Sequence, residues 1–249
     1  MTAPPGPSGR TAPTRADPEL APTFAVPPAV LDTLGPPVRP AGVVLGADPD
    51  GEPVTVTLVR AAPTRVVVLG GLYLARQVVL RAAGTGMRAV VVTGRPPAWE
   101  AVRRAAVPAG DAPTADHPDA PVRVVAEPPA DLAVPGGAPL LVVHDRGATT
   151  RGSSPARRPR QTTLVVLPSL VPAVSDLADD ADLVLLQRMP PHEAELAGRL
   201  WRLTPSMIES LRTLPDRGVV VLGRNLWRRV DLVTGPRETA ILGPVRRGD

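Results

Sequence analysis

From Arg65 onward the chain alternates short aliphatic runs with longer stretches in which Leu, Val and Ala recur at helical spacing. A run that is apolar at every position, rather than at every second one, belongs to a strand buried on both faces. Residues 66–69 therefore predict a strand, 72–83 a helix stopped by Gly84 to Gly86, and 88–92 the next strand, which makes a βαβ unit. Thr93-Gly94-Arg95-Pro96-Pro97 opens a helix to about Ala106, because a proline in the first turn gives up an N–H that has no partner there anyway. Further strands are expected at 122–126, 140–145, 162–167 and 182–187, with helices at 170–180, 191–202 and 204–214. Residues 219–222, 228–233 and 239–242 read as short closing strands. Upstream, residues 43–46 and 54–58 flank Asp48-Pro49-Asp50-Gly51, a turn composition, and predict a hairpin leading into the core. Strands alternating with helices of this size imply an α/β fold, a mostly parallel sheet flanked by helices on both faces.

Composition sharpens this picture. Residues 1–40 hold prolines at 4, 5, 7, 13, 18, 22, 27, 28, 36, 37 and 40, which deny the backbone both helix and ladder bonding. They read as a disordered Pro-rich tail, and 41–249 as a single α/β domain. Aromatics are only 2% of the chain, so the core is built from Val, Leu and Ala. There is no cysteine, which excludes disulfides and thiolate chemistry. All 28 basic residues are arginines, and the formal net charge is only +4. With 34 prolines this is a compositional bias, so arginine alone does not signal anion recognition. The longest apolar run near the middle, residues 66–75, is about half of the ~20 residues that a spanning helix needs. Membrane contact is expected only through partners.

Candidate chemistry is sparse. The strand ending at Gly70 enters a helix where a P-loop protein places its phosphate-binding loop, but the eight residues from Gly70 read Gly-Gly-Leu-Tyr-Leu-Ala-Arg-Gln. The second glycine, the lysine and the Ser/Thr of G-x-x-x-x-G-K-[ST] are all replaced. Arg76 stands where the lysine would, and Gln77 where a hydroxyl would hold magnesium. Asp145 ends an aliphatic strand, the place from which such proteins hold magnesium. His117, His144 and His192 show no metal spacing, Ser153 and Ser154 lie in no nucleophile elbow, and Asp176, Asp179, Asp180 and Asp182 read as a solvated helix end. No catalytic residue, metal or cofactor is assigned, and the chain is expected not to be an enzyme.

The order of segments resembles the FtsK-type ATPase modules of the type VII secretion motor, with a degenerate P-loop NTPase-like sheet. Residues 63–71, 93–100 and 181–187 resemble the cytosolic domain of EccE-like proteins of actinobacterial type VII (ESX) secretion loci, over roughly 41–248. That resemblance implies a non-catalytic accessory scaffold, cytoplasmic or peripheral at the inner face of the cell membrane, which binds protein components of a secretion apparatus. Family members embedded in the membrane carry hydrophobic spans ahead of this domain, where this chain has its Pro-rich tail. Candidate contact residues are the Gly70–Gly71 rim, Arg95, Trp99, and Arg146, Arg151, Arg157, Arg158 and Arg160 of a basic loop. One alternative is nucleotide binding or slow hydrolysis with Gly70, Gly71, Arg76 and Asp145. Another is association with nucleic acid through the arginine loop, which lacks the interleaved aromatics that stack on bases.

Overall fold

The structure, a computed structural model, describes residues 42–107, 120–129, 139–145 and 157–245. The expected tail over 1–40 lies outside them, as do Arg146 and Arg151. Ten strands form one sheet: β1 (Gly42–Ala47), β2 (Pro53–Thr57), β3 (Thr64–Leu69), β4 (Arg88–Thr93), β5 (Val122–Val125), β6 (Leu140–Asp145), β7 (Gln161–Leu167), β8 (Leu183–Leu186), β9 (Gly218–Gly223) and β10 (Leu226–Leu232). Their spatial order is β2-β1-β10-β9-β8-β3-β7-β6-β4-β5. The block from β8 to β5 is parallel throughout, while β9, β10, β1 and β2 extend it by antiparallel pairing.

Helix α1 (Leu72–Gly84) connects β3 to β4, and a 3-10 turn (Pro96–Trp99) leads into α2 (Glu100–Ala105) after β4. A second 3-10 turn (Pro172–Val174), α3 (Ser175–Asp179), α4 (Pro191–Leu200), α5 (Pro205–Thr213) and α6 (Pro236–Leu242) complete the described helices. Every residue of β3 is buried. Successive side chains of a strand point to opposite faces. Val66 and Val68 accordingly enter one core with residues of α1, α2 and Trp99, while Val67 and Leu69 enter another with residues of α4 and α5. The parallel part of the sheet is thus covered on both faces, as its unbroken apolar runs require.

Three expectations change. Residues 239–242 are helical, because Pro236 follows Gly235 as a helix opener and Glu238 sits in the first turn. The helix expected over 170–180 starts only after a 3-10 turn at Pro172, and its α-helical part is five residues long. Trp99 is fully buried, so it is a core residue and not a surface contact.

At the start of β3, Arg65 is 2% exposed; its backbone N–H donates to Asp182 Oδ2 at 2.7 Å, and its guanidinium pairs with Asp180. Part of the acidic cluster is therefore structural, since it neutralises an arginine buried at the edge of the core. At the other end of β3, Gly70 has φ 131°, and a Cβ there would stand 2.6 Å from Gln187 Cβ. Gly70→Ala is expected to destabilise the protein by about 2 kcal/mol or more, from backbone strain plus a clash with a packed strand end. Urea denaturation of the variant beside the wild type measures this loss.

Candidate functional site

The carboxyl ends of the parallel strands form one rim, and Asp145 closes β6 on it. One strand, β7, lies between β6 and β3, so Asp145 stands about 10 Å across the sheet from the Gly70–Gly71 turn. On its other side Thr93 of β4 is its register partner.

The bonds of the Asp145 carboxylate reach towards that other side. Its Oδ2 accepts from Thr93 Oγ1 at 2.9 Å, from Trp99 Nε1 at 2.8 Å and from Arg95 Nε at 3.1 Å, and its Oδ1 accepts from Arg95 Nη2 at 2.9 Å. The Arg95 backbone N–H in turn donates to Thr93 Oγ1 at 3.0 Å. Asp145 itself is buried. Burial pushes its carboxyl up, but Arg95, Trp99 and Thr93 together outweigh that and hold it below the ordinary carboxylate range. Three residues singled out from sequence, Arg95, Trp99 and Asp145, thus converge on one site. Thr93 is the partner that sequence reasoning missed, because its place opposite Asp145 depends on a strand register that no local pattern carries.

The Gly70 end of the rim is built differently. Helix α1 begins at Leu72, and Leu72, Tyr73, Leu74 and Ala75 are all buried. Gly70 and Gly71 are buried as well, which removes them as contact residues. Gln187, also buried, packs its side chain on Gly70. Arg76 is half-buried within α1, one turn past the helix start. Gln77 donates from Nε2 to the Val233 carbonyl at 3.4 Å, next to β10 and not to Asp145. A magnesium-bound triphosphate needs a loop of free amides, a cation and an open carboxylate. Here the loop is helix, the side chains that follow it are core, and both oxygens of Asp145 are engaged by protein donors. The residues in this conformation do not fit that group.

Of the basic loop, Arg157, Arg158 and Arg160 are described and exposed. Arg157 pairs with Asp182 at 3.0 Å and with Asp180 at 3.1 Å, so its charge is engaged by the cluster that also holds Arg65. Sequence reasoning missed one further polar feature. Tyr73, Gln77 and Arg81 recur every fourth residue on α1, a polar stripe along a helix whose other residues, Arg76 apart, are apolar, and that spacing is the signal available for it.

The ten-stranded, mostly parallel sheet with its helices matches a P-loop NTPase-like α/β fold. No protein-family model and no curated protein matches the chain. Among solved structures it is similar to VirB4 of Thermoanaerobacter pseudethanolicus, with a TM-score of 0.54 at 12% identity, over 81% of this chain and 99% of that one. It also aligns with the genome packaging NTPase B204 of Sulfolobus turreted icosahedral virus 2 bound to AMPPCP, with a TM-score of 0.49 at 11% identity, over 71% of this chain and 100% of that one. A third match is Thermomonospora curvata EccC (ATPases 2 and 3) in complex with a signal sequence peptide, with a TM-score of 0.48 at 14% identity, over 82% of this chain and 42% of that one. These comparisons overturn the expectation that the chain is not an enzyme: the neighbours named above include an NTPase and ATPases.

Asp145→Asn is expected to cost about 2 kcal/mol at neutral pH, the scale of hydrogen bonds to a charged group. A carboxyl whose folded pKa lies below its unfolded value of ~3.9 contributes stability that is complete above that value and is lost as pH falls through the folded one. Denaturation of wild type and variant at a series of pH values should therefore show the gap between them closing below about pH 4.

Proposed function

We propose that this chain is a P-loop-fold component of a type VII (ESX) secretion apparatus, resembling the EccE-like proteins, that works by contacts with other proteins of the apparatus on the cytoplasmic side. The observation that carries this reading is the contrast along the rim. The described sheet keeps helices on both faces, while the Gly70 turn and Asp145 are engaged by the chain's own side chains. Shape and apolar complementarity are enough to seat a domain beside its neighbours. Among the described residues no helix is long and apolar enough to cross a membrane. Arg95, whose side chain is 43% exposed, and the exposed Arg158 and Arg160 are the contact residues of this reading.

Purification of the tagged full chain from its native cells after crosslinking tests the reading. Secretion components should come along in stoichiometric amount, and a triple Arg95→Ala, Arg158→Ala, Arg160→Ala variant should lose most of them. Calorimetric titration with magnesium and ATP checks the competing chemistry. Micromolar affinity that Asp145→Ala removes would replace this reading with nucleotide binding at Asp145, the chemistry to which the fold's similarity to ATPases points. Affinity for duplex DNA that falls steeply with salt would replace it with nucleic-acid association.

A further inference from the structure

The seat beneath α6 is the most specific polar surface on the described molecule outside the Asp145 site. Arg81, one of the stripe residues of α1, commits its whole guanidinium there. Its Nε and Nη2 donate to Glu238 Oε1 and Oε2, each at 2.6 Å, its Nη1 donates to the carbonyls of Leu45, at 3.0 Å, and Val44, and its Nη2 also donates to that of Val233. Two parts of the antiparallel extension, β1 and the residue after β10, thus hold the guanidinium by their backbones, and Glu238 is the carboxylate it meets. Glu238 Oε2 also accepts from the Gly235 N–H at 3.4 Å.

The helix that supplies Glu238 is held lightly. No residue of α6 is buried. Among the described apolar side chains of this end of the chain, Leu242, the last residue of α6, and Val245 beyond it pack at the periphery of the core. Below the helix, Tyr73 Oη and Gln77 Oε1 are buried and have no hydrogen-bond partner among the described residues. Both residues lie on the stripe that faces Glu238. Buried polar atoms without partners cost free energy, so the stripe is better suited to a polar ligand than the helix now on it provides.

We infer that this seat is a docking site for a short amphipathic helix with a carboxylate in its first turn, occupied in cis by α6 and open to the corresponding helix of a protein partner. The chain itself shows the recognition chemistry: a bidentate guanidinium fixed by three carbonyls, with an amide and a phenol beside it. The site is specific because those carbonyls hold Arg81 independently of Glu238. It is exchangeable because the cis helix buries none of its own residues. This rests on the reading that the chain acts through protein contacts, and names the form one partner would take.

Hydrogen exchange on the full wild-type chain tests whether the cis helix leaves its seat. Amides of α6 should exchange at least about 100-fold faster than those of β3, as expected of a unit that opens locally. A fluorescent peptide of residues 234–245 is then titrated onto the wild type, Glu238→Gln, and Glu238→Gln with Arg81→Gln. Binding to Glu238→Gln about 10-fold tighter than to wild type, where the cis helix competes, and loss of binding in the double variant support the proposal. Equal binding to all three overturns it, as does no binding to a folded Glu238→Gln chain. Should that variant fail to fold, exchange decides: protection of α6 equal to that of β3 overturns the proposal. A seat that takes the peptide in a chain that captures no secretion component would leave this inference standing and remove the reading under it.

Discussion

Strand β3 has water on neither face, and most of the structure follows from that. A strand buried on both sides must have helices above and below it, and its own ends must be closed by groups that pair with whatever polar atoms they bury. At its start the buried Arg65 is met by Asp180 and Asp182, which in turn fix Arg157. At its finish the chain turns at Gly70 beneath Gln187, with no room for a side chain. The helix that follows carries its apolar faces into the core from its first residue, Leu72. One constraint on six residues thereby sets the position of α1, the rim and the strands on either side.

The Gly70 turn and the Asp145 carboxylate lie on the same rim. Here each is turned inward. Asp145 bonds to the segment after β4, and in doing so fixes Thr93, Arg95 and Trp99 together. Its buried charge is tolerated because a guanidinium and two neutral donors surround it. Asp145 is the anchor of a turn whose exposed members, Gly94 to Pro97, stand at the surface. Arg95 is both a partner of a buried charge and a surface group held in one orientation, which lowers the entropy lost when another protein meets it.

At the antiparallel end a second arginine does the corresponding work. Arg81 gathers β1, the end of β10 and α6 around one guanidinium. The planar fork with five donors suits this task, since a lysine would satisfy fewer of those carbonyls and could not hold a carboxylate at two points. In a chain whose basic residues are all arginine, composition does not distinguish these two residues from their neighbours. Their environments do.

The sequence by itself determined the parallel core. Apolar runs at 66–69, 140–143 and 164–167 announce strands buried on both faces, and the spacing between them is far longer than a tight hairpin turn. It also determined that the Gly70 segment lacks the lysine and hydroxyl of a phosphate loop. Residues 239–242 read as strand and fold as helix, because a short mixed segment carries no period strong enough to separate the two. Only the tertiary structure decided that Trp99 lies inside, that Thr93 faces Asp145, and that Arg81 meets Glu238 across 157 residues of chain. Burial on both faces is a local property of composition and is written residue by residue. The pairing of single charges depends on strand register and helix placement, which are fixed by the whole sheet at once.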